Sequence, residues 1–293
     1  MRSSPRVSFE FFPPTDPAGE QRLWATWQRL EPLAPQYVSI TCGADGSTRE
    51  RTPRWVAVLQ GRGCVQVAPH LTCIGATREE LAQLARRYWD SGIRHLVALR
   101  GDPPRGVLQH SPPPSGLAYA VDLVHALKAV GDFQISVAAY PETHPDAPSA
   151  QFDLVNLKRK VDAGAARAIT QFFYDTDAYL RFRDRCAAAG IAADIVPGIL
   201  PITQLSQVMR LAQRCGASIP ARVIRGFEGL ESDAGTRQLI SAALAIEQAQ
   251  ALQREGVDEF HFYTLNRAEL THAVCHALGV RAQSRVECGE INP

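Results

Sequence analysis

Short hydrophobic runs along the chain alternate with longer segments in which apolar residues recur at helical spacing. The runs are rich in valine, isoleucine, phenylalanine and tyrosine, and several alternate apolar with polar positions, which is typical of β-strands. The pattern predicts eight strands: VSFEFF (7–12), YVSIT (37–41), VQVAPHL (65–71), HLVALRG (95–101), ISVAAY (135–140), AITQFF (168–173), ADIVPGIL (193–200) and FHFYTL (260–265).

The longer segments carry the start and stop signals of helices. TREELAQLARRYWDSG (77–92) begins with Thr77 and Glu80, which can form a capping box, and Gly92 lies where such a helix would stop. AYAVDLVHALKAVG (118–131) and SAQFDLVNLKRKVDAG (149–164) have the same character, and each ends in glycine. We therefore predict amphipathic helices between the strands.

Strict alternation of strands and helices implies parallel strands joined by right-handed crossovers. Eight such units in 293 residues indicate an α/β fold of the closed (β/α)8 type, the TIM barrel. A doubly wound sheet would normally bind a nucleotide through G-x-G-x-x-G after its first strand, but here that strand runs into Phe12-Pro13-Pro14. The barrel is the favoured fold, with an extra helical excursion over 219–230 between strands seven and eight.

The net charge and the cysteine content indicate which partners and which cellular compartment to expect. The formal net charge of +1 gives no electrostatic reason to bind nucleic acid or an anionic membrane. No apolar run approaches membrane-spanning length, and MRSSPRVSFEFF lacks the apolar core of a signal peptide. The seven cysteines are odd in number and include no C-x-x-C pair. We expect a reduced, cytoplasmic protein with no nucleic-acid or membrane partner.

Two histidine–cysteine groups have spacings compatible with metal ligands. His70 lies close to Cys73 in the sequence, and His272, Cys275 and His276 lie together near the C-terminus. Zinc sites built on such spacings need a matching second pair, which neither group has. We therefore predict no metal site.

Polar and ionisable side chains follow most of the predicted strands. A barrel enzyme gathers its active site at the C-terminal ends of its strands, so these side chains would converge on one mouth. Only the seventh strand ends in apolar residues. The polar set comprises Glu10, Thr41, His70, Arg100, Asp102, Tyr140, Glu142, His144, Gln171, Asp175, Thr264, Asn266 and Arg267.

Glu10 lies within the most aromatic of the predicted strands. Period-two alternation puts Ser8 and Glu10 on the face opposite Phe9 and Phe11, and both faces of a parallel barrel strand are covered. Desolvation of a carboxyl group favours its uncharged form, so Glu10 can stay protonated near neutral pH and act as a general acid. A buried glutamate paired with arginine or lysine for structural reasons is equally compatible with the spacing.

Long motifs along the chain resemble those of bacterial 5,10-methylenetetrahydrofolate reductases. The resemblance runs from about residue 7 to residue 281 and keeps the order of the motifs. The motifs are VSFEFFPP, VSITCGA, APHLTC, HLVALRGDPP, SVAAYPETHP, NLKRKVDAGA, AITQFFYD, PGILPI and FHFYTLNRAE.

The resemblance implies a (β/α)8 flavoprotein with bound FAD. In this family FAD accepts a hydride from NADH or NADPH and passes it to 5,10-methylenetetrahydrofolate in a ping-pong reaction. The product, 5-methyltetrahydrofolate, supplies methyl groups for methionine synthesis. The resemblance also implies a homo-oligomer, a tetramer or a dimer. It further implies one catalytic barrel domain over residues 1–293 without the C-terminal regulatory domain of eukaryotic relatives.

The family motifs assign roles to residues of this chain. Glu10 matches the general acid that opens the folate ring, and Asp102 matches a carboxylate that stabilises the cationic intermediate. Thr41, Asp102, Gln171, Gln207 and Arg267 match substrate contacts. The residues implied to hold FAD are Thr41, Ala44, His70, Arg100, Gly101, Asp102, Tyr119, Ala120, Tyr140, His144, Asp153, Asn156, Arg159 and Lys160.

The chain departs from the family pattern at three places. Cys42 stands where relatives commonly have an aromatic residue, Leu211 stands where some have phenylalanine, and the proline-rich loop 103–116 is longer than usual. None of these changes removes a group that the chemistry requires. Two other functions stay open at this point: a folate-dependent methyl transferase or demethylase without flavin, and a non-catalytic flavin or folate carrier. The sequence does not decide between NADH and NADPH.

Overall fold

Strands and helices alternate along the computed structural model, which describes residues 4–43, 51–63, 65–102 and 115–283. The strands are β1 (Arg6–Phe11), β2 (Tyr37–Ile40), β3 (Gln66–Thr72), β4 (His95–Leu99), β5 (Gln134–Ala139), β6 (Arg167–Thr170), β7 (Asp194–Val196), β8 (Gly198–Ile199) and β9 (Glu259–Tyr263). The α-helices are α1 (Pro17–Leu30), α2 (Arg51–Gln60), α3 (Arg78–Asp90), α4 (Ala120–Lys128), α5 (Ala150–Asp162), α6 (Thr176–Ala188), α7 (Leu205–Cys215), α8 (Ala221–Phe227), α9 (Ala234–Arg254) and α10 (Glu269–Ala277).

The strands form one parallel sheet that closes into a barrel. Their order is β7-β6-β5-β4-β3-β2-β1-β9-β8, and each neighbouring pair is parallel. Since only Pro197 separates β7 from β8 along the chain, the two ends of the sheet meet. The predicted (β/α)8 barrel is confirmed, and the doubly wound alternative is wrong.

The predicted seventh strand is in fact two short strands that divide at Pro197. Proline has no N–H to donate to a ladder, so pairing with β6 stops at Val196. Beyond it, the Pro197 carbonyl accepts from the His261 N–H at 3.0 Å, and β8 pairs with β9. The Gly198 N–H donates to the Thr170 Oγ1 at 2.9 Å instead of to a strand backbone. One chain segment therefore closes the barrel by pairing with a different neighbour on each side of the proline.

Helix signals in the sequence are confirmed in detail. The Thr77 N–H donates to the Glu80 carboxylate at 2.7 Å, and the Glu80 N–H donates to the Thr77 hydroxyl at 3.2 Å, which completes the capping box of α3. Gly92 follows that helix with φ of 88°. The extra helical excursion is α8, inserted between α7 and α9. Several strands end earlier than predicted, so that Arg100 and Gln171 lie in the loops after β4 and β6.

The barrel wall separates two different cores. Outside it, β1 contributes Phe9 and Phe11 to the main hydrophobic core beneath the helices, where Phe11 packs on Trp27 at a ring distance of 6.1 Å. Inside the barrel, apolar packing is limited to a small cluster around Tyr37 and Val97. The rest of the interior is polar, which sets the environment of the mouth.

The cysteines of the two histidine–cysteine groups with metal-like spacing are buried and contribute to packing and hydrogen bonding of the fold. The Cys73 thiol donates to the carbonyls of Leu99 and Tyr119 at 3.4 and 3.3 Å, and Cys275 is buried in the main core. Across the described residues, no group of three or more histidine, cysteine, aspartate or glutamate side chains could hold a metal ion. In the same ranges, no helix has both the length and the apolar character needed to cross a bilayer.

Gly198 at the barrel seam provides a stability test. A Cβ atom there would meet the Thr170 carbonyl oxygen and come within 2.5 Å of the Tyr263 ring. We expect Gly198→Ala to lower the free energy of unfolding by about 2 kcal/mol, since overpacked sites cannot relax easily. Denaturant titration of both the variant and a control measures this.

Gly235→Ala is the matched control for the seam. Gly235 lies in the first turn of α9, and an added Cβ would only touch Asp233 at 3.7 Å. Its stability should be unchanged or slightly raised, because alanine favours helices. Equal losses of unfolding free energy in the two variants would contradict the expected crowding at Gly198.

Candidate active site

The acid singled out in the sequence lies inside the barrel at its mouth. The Glu10 side chain is 20% exposed, and its Oε2 lies 3.5 Å from the Nε2 of His70 and 3.7 Å from the Nε2 of His261. Register explains this placement, because Glu10 is level with Ser39 on β2 and Tyr263 on β9. Among the described residues, no lysine or arginine lies within 4 Å of the Glu10 carboxylate. The carboxyl group therefore faces imidazoles, not a structural cation.

The loop after β9 clamps the backbone of the strand that carries Glu10. The Thr264 hydroxyl donates to the Glu10 carbonyl at 2.6 Å, and the Asn266 side chain both accepts from the Phe12 N–H at 3.1 Å and donates to the Phe12 carbonyl at 2.9 Å. Leu265 and Asn266 have positive φ values of 50° and 52°. This tight turn fixes where β1 ends and so where its acid points.

A buried polar array fills the barrel below Glu10. Two serine–histidine pairs span adjacent strands, Ser8 with His261 at 2.8 Å and Ser136 with His95 at 2.7 Å. The Tyr37 ring lies between the two imidazoles, at centroid distances of 4.3 Å to His95 and 6.0 Å to His261. Such an interior holds its polar groups in defined orientations, because each buried donor and acceptor needs a partner.

The bottom of the barrel is closed by a buried ion pair. The Arg167 Nε lies 2.7 Å from the Glu259 Oε1, and both side chains are almost fully buried. Arg6 approaches the same carboxylate at 3.2 Å from the N-terminal end of β1. The cationic partner that a buried glutamate needs is thus supplied at Glu259 and not at Glu10.

Burial keeps His70, His95 and Tyr37 uncharged. Desolvation lowers the pKa of His70 to about 4, although Glu10 acts in the opposite direction, and it lowers the pKa of His95 to about 3, with help from Arg167. Desolvation also raises the pKa of Tyr37 to about 12. Near neutral pH His70 and His95 are therefore neutral imidazoles that can donate or accept hydrogen bonds without adding charge.

The loop after β4 carries a more exposed set of predicted site residues. The Arg100 Nη2 donates to the Asp146 carboxylate at 2.7 Å, and Gly101 has φ of 86°, which glycine adopts without strain. Asp102 is 56% exposed at the rim, with its carboxylate 4.0 Å from the Arg214 guanidinium. Solvent screens so exposed a charge until a ligand covers the mouth.

The corner between β5 and α5 is internally braced. The Tyr140 ring contacts the His144 ring at 4.6 Å, and the His144 N–H donates to the Asp153 carboxylate at 2.8 Å. The half-buried Lys160 ammonium donates to the Ala138 carbonyl at 2.6 Å, and desolvation lowers its pKa to about 8. Burial raises the pKa of Tyr140, so its phenol stays protonated. These side chains shape one wall of the rim.

The remaining predicted site residues follow β2, β6 or β9 or belong to the N-terminus or body of helices α4, α5 and α7. Thr41 follows β2, where its N–H donates to the Phe11 carbonyl at 2.9 Å, and Gln171 follows β6 with its Oε1 accepting from the Phe172 N–H at 3.0 Å. Ala44 lies outside the described residues. The positions without an assigned side-chain contact are exposed Tyr119, Arg159, Gln207 and Arg267, half-buried Asn156, and Ala120, which begins α4.

A cavity of about 410 Å³ opens beside the mouth, a size suited to a small organic ligand. Tyr263, Thr264 and Arg267 from the end of β9 line one side, and Gln204 and Gln238 line the other. Of the predicted substrate contacts, Arg267 lies on this cavity. Gln207 lies on the exposed surface of α7 and does not line it.

The rim between β4 and α5 has chemistry that fits a dinucleotide. Arg100 and Arg159 can offset phosphate charge, Asn156 can bond ribose hydroxyls, and the exposed Tyr119 phenol can stack on a ring. His70 also has a buried Nε2 without a hydrogen-bond partner among the described residues, facing the mouth beside Glu10. The donor set therefore matches the groups of FAD.

Four important residues were missed by the search of strand ends. Ser8, His261 and Tyr263 lie within strands, not after them, while Tyr37 opens β2. The sequence signal that could have identified them is period-two alternation of side chains along a strand. Ser8 lies on the same face of β1 as Glu10, and His261 and Tyr263 share a face of β9. A search of inward positions along each strand would have found them.

Fold and mouth together define a barrel enzyme with an acid at the C-terminal ends of its strands. Residues 2–279 match the family described as Methylenetetrahydrofolate reductase. The chain belongs to the methylenetetrahydrofolate reductase family.

Relatives share this assignment over most of the chain. This chain is 56% identical over 277 residues to the 5,10-methylenetetrahydrofolate reductase of Salmonella typhimurium, and the match covers 94% of this chain and 91% of that protein. Identity to the Escherichia coli enzyme is 55% with the same coverage. Arabidopsis thaliana Methylenetetrahydrofolate reductase (NADH) 1 is 36% identical over 95% of this chain and 49% of its own length.

A solved structure supports the fold at low sequence identity. An uncharacterized Clostridium thermocellum protein that binds two copies of 5-methyl-5,6,7,8-tetrahydrofolic acid aligns with a TM-score of 0.63 and 15% identity. The alignment covers 95% of this chain and 96% of that one. At this identity the likeness concerns the barrel alone.

The neutral interior histidines predict acid sensitivity. The folded-state pKa of His95 lies below its unfolded value of about 6.5, so the unfolded chain takes up the proton first as pH falls. The contribution of neutral His95 to the free energy of unfolding is therefore complete above about pH 6.5 and is lost progressively toward about pH 3. We expect His95→Gln to reduce the slope of unfolding free energy against pH by up to about 1.4 kcal/mol per pH unit between pH 6 and 4.

Urea unfolding across that pH range measures the slope. His125→Gln is the control, because His125 is exposed on α4 and its loss should leave the slope unchanged. A His95→Gln slope equal to that of the parent protein would contradict the neutral, buried state of His95.

Proposed function

We propose that the protein reduces 5,10-methylenetetrahydrofolate to 5-methyltetrahydrofolate, with FAD as bound cofactor and NADH or NADPH as hydride source. The family match supports the reaction, and the structural observation that carries it is the Glu10 carboxyl group. That group is half-buried at the barrel mouth against two imidazoles, and no lysine or arginine of the described residues lies within 4 Å of it. NADH is favoured by the printed name of the Arabidopsis relative. The folate-bound Clostridium barrel is compatible with a folate ligand at this mouth.

Glu10 supplies the proton that makes the folate reactive. In the substrate one carbon bridges two nitrogens, and this ring must open before the carbon can accept a hydride. Protonation of one bridge nitrogen turns it into a leaving amine, and ring opening leaves a cationic iminium carbon on the other. A half-buried carboxyl group held at the mouth is suited to such a donation.

Asp102 stabilises the positive charge that ring opening creates. Its carboxylate is exposed at the rim. The attraction between this carboxylate and a cationic substrate would be strongest once a bound ring system excludes water. Arg214 at 4.0 Å is too exposed to neutralise it. A negative charge here favours the iminium over the closed, neutral substrate.

Gln171 and Arg267 position the substrate. The Gln171 carbonyl is engaged by the Phe172 N–H, and its amide NH₂, which also interacts with the Tyr140 phenol, supplies donors for a pterin or a nicotinamide carboxamide. Arg267 is exposed at the lip of the cavity, where a guanidinium can bind the glutamate carboxylates of a folate. We assign Thr41 and Gln207 as further substrate contacts.

FAD would be held by Arg100, Tyr119, Asn156 and Arg159, and His70, which lies beside Glu10, would be a further contact. When bound, FAD supplies a hydride acceptor and donor, which no side chain can provide. The bracing of His144 by Asp153 and of Lys160 by the β5 backbone keeps the wall beneath this surface fixed.

An anaerobic titration tests the function as a whole. The FAD-loaded protein should lose its yellow colour when NADH or NADPH is added and regain it when 5,10-methylenetetrahydrofolate follows, with 5-methyltetrahydrofolate as the product. Protein that binds no FAD but still transfers the folate one-carbon group would indicate a flavin-free methyl transferase. Protein that binds both ligands without any colour change would indicate a carrier.

Glu10→Gln separates the two half-reactions. Glutamine keeps the size of the side chain but cannot donate a proton to the folate, so reoxidation by 5,10-methylenetetrahydrofolate should slow by about 100-fold or more. Reduction by NADH should stay within a few fold of the parent rate. Stopped-flow absorbance in single-turnover experiments measures both rates.

Glu79→Gln controls for the loss of a carboxylate, since Glu79 is exposed on α3 and pairs with Arg86. Both of its half-reactions should match those of the parent protein. Normal folate turnover by Glu10→Gln would exclude Glu10 as the acid.

Arg159→Gln tests the dinucleotide surface. Arg159 is exposed on α5, and loss of a guanidinium that meets phosphate should raise the Kd for FAD by about tenfold. Lys158→Gln is the control, because the neighbouring Lys158 pairs with Asp162 at 2.9 Å. Fluorescence titration of apoprotein with FAD gives both affinities. Equal effects of the two changes would remove Arg159 from the proposed contact set.

A further inference from the structure

The Ser8–His261 pair beneath Glu10 has no part in the reaction as described so far. Ser8 and His261 are fully buried, and they are adjacent partners in the β1–β9 register. His261 bonds Ser8 through Nδ1 and turns Nε2 toward Glu10. The other buried pair, Ser136 with His95, has the same chemistry but does not bring a ring nitrogen within 4 Å of the Glu10 carboxylate.

Geometry selects one tautomer of the His261 ring. The Ser8 hydroxyl contacts the His261 Nδ1 at 2.8 Å, the Phe260 carbonyl at 3.4 Å and the Tyr37 hydroxyl, so this side of the ring is compatible with either tautomer. The Nε2 side decides between them, because a hydrogen on Nε2 gives this buried atom the Glu10 carboxylate as a partner, and Nδ1 then accepts from Ser8. In a neutral imidazole the hydrogen then lies on Nε2, which makes that nitrogen a donor.

The His261 Nε2 has one carboxylate to bond. It is buried and has no hydrogen-bond partner among the described residues, and the Glu10 Oε2 lies 3.7 Å away. Catalytic hydrogen bonds are often this long before the substrate binds and shorten in the complex. An orphaned buried donor aimed at an acid is costly unless the two pair.

We propose that Ser8 fixes the tautomer of His261, and that His261 is a positioning residue which holds the Glu10 Oε2 as a hydrogen-bond acceptor. This inference rests on the proposed function of Glu10 as the acid. Because Oε2 accepts from His261, the acid proton of Glu10 is carried by Oε1. After Glu10 gives up that proton, the same Nε2–H stabilises the carboxylate that remains.

The other groups around Glu10 are compatible with this arrangement. His70 from β3 approaches the same Oε2 at 3.5 Å, and burial keeps it neutral. Tyr263 from β9 is a protonated phenol that donates to the Thr170 carbonyl at 2.7 Å, so its hydrogen is not directed at Glu10. Ser39 is level with Glu10 on β2 and carries no charge. His261 is thus the neighbour whose tautomer is set by a second contact.

Histidine ¹⁵N NMR tests the tautomer without cofactor or turnover. In the ligand-free protein the His261 nitrogens should show the Nε2–H pattern near neutral pH, and the loss of these signals in His261→Asn assigns them. Ser8→Ala should shift His261 toward the Nδ1–H form or a mixture, while Ser136→Ala should leave it unchanged. An Nδ1–H pattern in the parent protein would overturn the proposal.

The pH dependence of the folate half-reaction tests the consequence for catalysis. Ser8→Ala should slow single-turnover oxidation of the reduced enzyme by 5,10-methylenetetrahydrofolate about tenfold, a fraction of the gain that general acids provide. The pH at which this rate falls should also move upward, because the carboxylate loses a donor that stabilises it. Reduction by NADH should be unaffected, and Ser136→Ala should change neither rate nor profile.

Two substitutions of His261 distinguish positioning from packing. Asparagine places an amide near Nδ1 and loses the reach to Glu10, whereas glutamine places one near Nε2. His261→Gln should therefore recover part of the folate rate that His261→Asn loses. A parent pH profile retained by Ser8→Ala would refute the positioning role. A parent protein without any folate reaction would instead refute the proposed function and leave the NMR result to decide the tautomer.

Discussion

A carboxyl group inside a parallel barrel has to be solvated by the barrel itself. Glu10 shares its face of β1 with Ser8, while the phenylalanines on either side of it point outward into the core beneath the helices. A cation beside Glu10 would hold it as a carboxylate and end its use as an acid. The barrel instead places the imidazole nitrogens of His70 and His261 within 4 Å of the carboxylate. Partners without a fixed positive charge are what make this acid chemically useful.

The two buried glutamates show this difference within one interior. Glu259 lies on the same face of β9 as His261 but at the opposite end of the barrel, where Arg167 and Arg6 surround it. That pairing makes Glu259 part of the structure, since the buried charge is compensated. Glu10, two strand layers higher, lacks any such cation among the described residues. Position along the barrel axis therefore separates a structural carboxylate from a reactive one.

Much of the fold could be read from the sequence because its signals are local. Alternating apolar runs, the Thr77–Glu80 capping box and glycine stops predicted the order of the elements, and the barrel followed from their strict alternation. The division at Pro197 was missed, since the run 193–200 is apolar apart from Asp194 and the exchange of partners depends on β6 and β9 together. The inward residues His95 and His261 were missed for a similar reason. Their meaning depends on which side chains meet across strands, and no single segment encodes that.

The seam of the barrel and the acid are linked through Tyr263. This residue is level with Glu10, and its hydroxyl donates to the Thr170 carbonyl, which also lies where a side chain at position 198 would project. Glycine at 198 thus leaves room for the Tyr263 ring, and proline at 197 ends pairing with β6 so that β8 can turn toward β9. If the seam shifted, Tyr263 and the β9 loop that clamps the Glu10 carbonyl would shift with it. The residues that close the barrel therefore also determine where the proton donor stands.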